Sequence, residues 1–187
     1  MAALIPSASA TGSGTMTLAG PSTNSNQTVN IPDATGTMMV SGNMPAFSAY
    51  RSTTDQTISN ATWTKLQAQT EEFDTASAYD NATNYRFTPQ VSGYYQVNGQ
   101  ILAAGTITLI RIIPAIYKNG SQFKLGNDVI MPTGGQSVRA NVSAIIYLNG
   151  STDYLEFYTN VNGSGTLTLS ASTGLDNYFQ ASLVRSA

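Results

Sequence analysis

Apolar and polar residues alternate with a period of two in short runs from residue 45 to the end of the chain. In 138–148, Val138, Ala140, Val142, Ala144, Ile146 and Leu148 share one side, and Arg139, Asn141 and Ser143 the other. Tyr95, Val97, Gly99 and Ile101 oppose Tyr94, Gln96, Asn98 and Gln100. Leu155 and Phe157 oppose Tyr154, Glu156 and Tyr158, and Leu167 and Leu169 oppose Thr166, Thr168 and Ser170. Successive side chains of a strand point to opposite faces, so each run has one apolar face and one polar or aromatic face. The runs are PAFSAYRS (45–52), QTISNATWTKL (56–66), YRFTPQVSGYYQVNGQIL (85–102), ITLIRIIPAIYKNG (107–120), SVRANVSAIIYLNG (137–150), DYLEFYTNV (153–161), GTLTLSAS (165–172) and NYFQASLVR (177–185). No segment carries a sustained i, i+3, i+4 stripe, so little helix is expected. Many short strands with turns between them predict an all-β sandwich or jelly roll, its two sheets closing over one core. Asn119–Gly120 and Asn149–Gly150 suit turns that need positive φ. Pro114 interrupts a β run, which predicts an edge or a bulge there.

Residues 1–44 have a different character. Asp33 is their sole charge, among Gly, Ser, Thr, Asn and Ala. TMTLAG (15–20) and TVNIPDATGTMMV (28–40) read as short strands separated by turns. With so few large side chains this segment cannot order itself alone; it is disordered or it pairs with neighbouring chains. It reads as an N-terminal arm, with a head at 45–187. MAALIPSASA lacks a basic stretch and its apolar run stops at Pro6, so it is read as mature sequence.

Composition narrows the chemistry. The chain has no Cys and no His, which removes disulfides, thiol nucleophiles, imidazole bases and the commonest metal ligand. Lack of cysteine fits synthesis in a reducing compartment. A net charge of −2 gives no general attraction to nucleic acid or to anionic membranes. No apolar run reaches the roughly 18 residues of a membrane span. Only 10% of residues are charged, so the surface is Ser, Thr, Asn, Gln and Gly.

Catalytic candidates are thin, and no catalytic, cofactor-binding or metal-binding residue is assigned. Glu71, Glu72 and Asp74 form the acidic cluster; its spacing does not match a calcium loop, and it reads as a solvated loop. Asp80–Asn81 reads as a turn cap. Asp128 and Asp153 fall in loops, and calcium is supported by no motif. The Gly-rich stretches at 12–14, 134–135 and 163–165 lack the Lys of a phosphate loop. Trp63, the single Trp, reads as core or interface, with sugar stacking the other reading.

Phe87, then Gly93-x-Tyr95-x-Val97, then Tyr117-Lys118-Asn119-Gly120, then Gly150, Asp153, Leu155 and Phe157, and finally Phe179-x-Ala181-x-Leu183, follow in the order of a known pattern. Together with Ala46-Phe47-Ser48-Ala49 they resemble the globular head of complement C1q, whose jelly roll is shared with tumour necrosis factor. The resemblance covers residues 45–187. Ala181 stands where the pattern has Gly, EEFDTASAYDNATNY (71–85) is off its spacing, and no collagen-like Gly-x-y stretch precedes the head. GTMTLAGPS and QTVNIPDATGTMMVSG resemble a segment that recurs in bacteriophage tail-fibre and other virion proteins before a globular tip. The first resemblance implies a homotrimer without catalytic machinery. Aromatic residues of the strands' second faces are then expected at the threefold interface: Tyr94, Tyr154, Tyr158 and Tyr178, or Tyr95 if the faces are inverted. The second implies an external virion protein, in which residues 1–44 hold other virion proteins and the head binds a host-surface glycan or protein or stabilises the particle. A soluble C1q/TNF-like ligand or lectin is the alternative. A tailspike depolymerase would need a longer β-solenoid and paired carboxylates, neither of which is present.

Overall fold

In the computed structural model the described residues are Ser22, Asn26, Met39, Val40, Gly42, 44–171 and 174–187. The expected strands at 15–20 and 28–40 lie outside these, except for Met39 and Val40. The chain divides into two units, Met1–Gly36 and Thr37–Ala187, and the architecture below is that of the second.

The elements are β1 (Ala46–Tyr50), β2 (Gln56–Ile58), β3 (Thr64–Lys65), β4 (Thr70–Asp74), β5 (Tyr79–Asp80), β6 (Arg86–Phe87), β7 (Gly93–Lys118), β8 (Ser121–Leu125), β9 (Val129–Leu148), β10 (Leu155–Ser164), β11 (Leu167–Leu169) and β12 (Tyr178–Ser186). All pairings are antiparallel. Their order is that of one 12-stranded sheet, β4-β1-β12-β7-β10-β6-β5, with β8 and β9 also on β7. The sheet folds into two layers because β7 belongs to both. Its first part pairs with β12 and with Ser137–Leu148 of β9. Its second part, Thr108–Lys118, pairs with β10 and β8. The first layer is therefore β4, β1, β12, the start of β7 and the end of β9. The second is β5, β6, β10, the end of β7 and β8, with β3 beside β6 on β10.

The two apolar faces meet as the alternation requires. Phe47 of β1 stacks on Phe87 of β6 with ring centroids 4.5 Å apart, and Phe157 of β10 stacks on Phe179 of β12 at 5.5 Å. Tyr95, Val97, Ile101, Ile112, Ile116, Leu148 and Leu155 have no exposed surface. Gly99 lies under Phe157: a Cβ there would come within 2.6 Å of the ring. No buried side-chain nitrogen or oxygen among the described residues lacks a hydrogen-bond partner.

Two local expectations change, and two turns follow the expected pattern. The runs at 85–102 and 107–120 are not two strands: residues 93–102 of the first and 107–118 of the second belong to the single strand β7. Pro114 is not at an edge. It pairs with Thr159 on one side, and its carbonyl accepts from Gly126 N–H on the other at 2.8 Å. A strand residue's N–H and C=O point the same way, so the missing donor falls on the β8 side, where that ladder ends at Leu125. Asn119–Gly120 does form the tight β7–β8 turn, at φ 53° and 77°. At Asn149–Gly150 the positive φ falls on Gly150, at 71°, within a wider loop in which Asn149 Oδ1 accepts from the N–H groups of Ser151, Thr152 and Asp153.

Candidate interaction faces

The outer face of the first layer is built in rows by strand register. At one end Tyr94 of β7 stands opposite Tyr147 of β9, their rings 5.5 Å apart, with Val184 of β12 nearby. The next row is Ala46, Ser182, Gln96 and Ile145. Then come Phe73, Ser48, Gln180, Asn98 and Ser143, cross-strand neighbours over β4, β1, β12, β7 and β9. The last is Tyr50, Tyr178, Gln100 and Asn141. Tyr94 and Tyr178 thus mark opposite ends of this face, roughly 20 Å apart along β7.

Hydrogen bonds stiffen the middle of the face. Ser143 Oγ donates to Asn98 Oδ1 at 2.8 Å, and Gln96 Nε2 donates to Ser143 Oγ at 2.9 Å. Ser48 Oγ donates to Glu72 Oε2 at 2.6 Å. A shallow cleft of about 220 Å³ lies between Phe73, Ala46, Ser182, Gln180 and Asn98. From Tyr94 to Gln100 the outward positions of β7, and their partners on β9 and β12 from Tyr178 to Ser182, carry no charge. Five large apolar side chains of the face are nevertheless open: Tyr94 at 44%, Tyr147 at 43%, Phe73 at 49%, Ile145 at 58% and Val184 at 56%.

The five tyrosines expected at an interface do not converge. Tyr94 and Tyr178 lie on this face. Tyr95 has no exposed surface; it packs edge-on to Phe87 and its hydroxyl donates to Val91 O at 2.6 Å, so the faces are not inverted. Tyr154 and Tyr158 lie on the outer face of the second layer. There Tyr158 stacks on Tyr117 at 4.0 Å, Trp63 leans on Tyr117 at 6.1 Å and 58°, and the Arg86 guanidinium sits 4.6 Å over Tyr154. Glu156, buried beneath, is bound by Lys65 Nζ at 2.5 Å. Burial, with Glu156 and the neighbouring phenols after it, pushes the Tyr158 hydroxyl up to about 12. Ile145, Tyr147 and Val184 were not singled out in the sequence. Ile145 and Tyr147 stand on the polar side of the 137–150 alternation, which is the signal that could have marked them.

The acidic residues have structural partners. Glu71, Glu72 and Asp74 lie on β4, a strand and not a free loop. Asp74 accepts from the N–H groups of Ala76 and Tyr79, and burial and Asp74 raise the Glu71 carboxyl. Asp80 caps its turn: hydrogen bonds from the N–H groups of Thr83 and Ala82, and from Asn84, hold its carboxyl near 2. Arg111 binds Asp128 in a two-pronged pair, and Asn119 and Lys118 hold Asp153. Among the described residues no group of three or more His, Cys, Asp or Glu could hold a metal ion.

No family model matches this sequence, and no curated protein does. Solved structures with the same fold are found. The globular domain of a zebrafish complement 1qA protein is 14% identical with a TM-score of 0.53, over 76% of this chain and 99% of that one. The Eiger TNF of S. frugiperda is 12% identical with a TM-score of 0.59, over 77% and 94%. Murine APRIL is 10% identical with a TM-score of 0.54, over 75% and 99%. At such identities the likeness is one of fold: the chain carries the jelly roll of the C1q and tumour-necrosis-factor heads.

Proposed function

We propose that this chain is a non-enzymatic bacteriophage virion protein, a fibre or capsid-decoration component, whose jelly-roll head is a homotrimer. The observation that carries the reading is the outer face of the first layer. It is uncharged from Tyr94 to Gln100 of β7 and from Tyr178 to Ser182 of β12, with Arg185 across from Tyr94 at its end; it holds a hydrogen-bonded amide ladder, and it leaves Tyr94, Ile145, Tyr147 and Val184 open to water. A group of open apolar side chains of that kind at one end of a sheet face marks an association surface. Closure about a threefold axis needs only one compatible contact per subunit pair. The jelly-roll fold supports the trimer, and the virion-like sequence of residues 1–44 supports the setting. In this reading residues 1–44 attach the chain to other virion proteins and the head points outward, to bind the host surface or to brace the particle.

The test is electron microscopy of purified particles labelled with an antibody to residues 45–187. Label on the particle exterior is the expected result; a protein found only free in solution returns the reading to a soluble ligand or lectin. Removal of residues 1–44 is expected to leave a folded trimeric head that no longer joins particles. Undiminished incorporation would refute the division of labour between arm and head.

A further inference from the structure

On the second layer, strand pairing sets Arg86 directly across from Glu156. The expected ion pair does not form. Lys65, across from Tyr158, reaches Glu156 at 2.5 Å and donates also to Asn84 O at 2.9 Å. The Arg86 side chain turns instead onto the Tyr154 ring at 4.6 Å and makes no hydrogen bond to any described residue. A half-exposed guanidinium with all its N–H donors open is thereby fixed in orientation by an aromatic face.

On the same face Trp63, Tyr117 and Tyr158 form an aromatic corner, with Tyr117 across Glu156 from Arg86. Tyr117 and Tyr158 stack at 24°, and Trp63 stands inclined to Tyr117 at 58°. Ala115 points outward across from Tyr158 yet has no exposed surface, so the rings roof it over. The corner is held from both sides by backbone that non-glycine residues rarely adopt: Ala61 at φ 55° before Trp63, and Tyr85 at φ 49° before Arg86. Hydrogen bonds from Ala61 N–H to Val161 O at 2.8 Å, and from Gly163 N–H to Asn60 Oδ1 at 3.0 Å, tie the Trp63 turn to β10. Such strain persists only where the surroundings impose it, and it gathers at binding sites.

We propose that this face, around Trp63, Tyr154 and Arg86, binds a carboxylate-bearing sugar. A pyranose ring offers a face of C–H groups that stacks on an aromatic ring, and a sugar carboxylate fits the planar fork of a guanidinium. A wholly apolar ligand would leave Arg86 unmatched, and a protein partner needs about 800 Å² from each side, far more than these rings and one cation. Affinity for one head is modest and multiplies when several heads engage one surface. The inference names a ligand class for the head proposed above to face the host, and rests on that reading for its biological setting.

Trp63 is the only tryptophan, so its fluorescence reports this face directly. The full chain is titrated with a hexuronate oligosaccharide and with the same oligosaccharide after reduction of its carboxyl groups to alcohols. A saturable change with the uronate and about tenfold weaker binding of the reduced form are expected, from the usual strength of a hydrogen bond to a charged group. Arg86→Gln is expected to bring the uronate down to the reduced form's affinity. Trp63→Ala, followed by calorimetry, is expected to lose both. Thermal unfolding checks that each variant is folded. No saturable response to either sugar, equal binding of the two, or uronate binding unmoved by Arg86→Gln and Trp63→Ala would each overturn the proposal. So would a protein ligand that Trp63→Ala releases from a head that ignores both sugars. Absence from virions alongside positive titrations would remove the setting and leave the sugar site standing.

Discussion

The side chain of Asn177 closes on Leu102 from both ends of its peptide group. Leu102 N–H donates to Asn177 Oδ1 at 2.8 Å, and Asn177 Nδ2 donates to Leu102 O at 3.2 Å and to Ser170 O at 2.7 Å. Asn177 is fully buried, one residue before β12 begins, and its own carbonyl accepts from Arg51 N–H. A planar amide here takes the place of one more rung in the ladder and joins β7 to the segment after β11.

Asn177→Ala strands the Leu102 N–H and the Ser170 carbonyl, and leaves Leu102 O with the Ser170 N–H at 3.4 Å. A loss of about 3 kcal/mol is expected, read from the urea midpoint at unchanged m-value. Asn177→Asp sets an oxygen against the carbonyls of Leu102 and Ser170, and a larger loss is expected.

Gly99→Ala drives a methyl group into the Phe157 ring, held between layers against Phe179. Overpacking of this kind costs about 1–3 kcal/mol. Phe157→Leu makes room, so the double variant is expected to be less destabilised than the sum of the two single ones, by a coupling measured in a double-mutant cycle.

Ile145→Asp tests the outer face of the first layer. Ile145 is 58% exposed, so the isolated fold is expected to change by less than about 0.5 kcal/mol. Native mass spectrometry is expected to show the trimer replaced by monomer. Persistence of the trimer would place the contact elsewhere.

Asp80 gives a pH dependence with a definite sign. Its carboxyl, ordinarily near 3.8, is held near 2 by hydrogen bonds led by the N–H groups of Thr83 and Ala82. A folded-state value below the unfolded one adds stability that is complete above 3.8 and disappears as pH falls to about 2. Asp80→Asn is expected to be less stable than the parent at neutral pH. The gap in urea midpoint is expected to close between about pH 4 and pH 2. A gap that stays constant across that window would mean the turn depends on shape and not on charge.

Face assignment in the strands was readable from alternation alone. Val97 and Ile101 went inward, Gln96 and Asn98 outward, and Val142 and Ile146 opposed Asn141 and Ser143 as their spacing required. Alternation could not show that β7 runs without a break from one layer into the other, because Ala103-Ala104-Gly105-Thr106 separates the two apolar runs and reads as a turn. Nor could it show that Tyr94 and Tyr158 share a chemistry but not a face: each is outward on its own strand, and the strands lie on opposite layers. The Trp63–Tyr117–Arg86 grouping was hidden for a related reason. Its members come from a turn, β7 and β6, and only the pairing of those segments about β10 places them on one face.

Period-two spacing of apolar residues by itself determined that residues 45–187 form strands with one buried side, because that spacing matches the pleat and no helix can bury it. The absence of Cys and His determined which chemistries were closed to the chain, because side-chain functional groups are a matter of composition. Which outward side chains become neighbours was decided only by the tertiary structure. Strand order and register are set by where distant segments pair, and a residue's local sequence carries no record of the strand it will face.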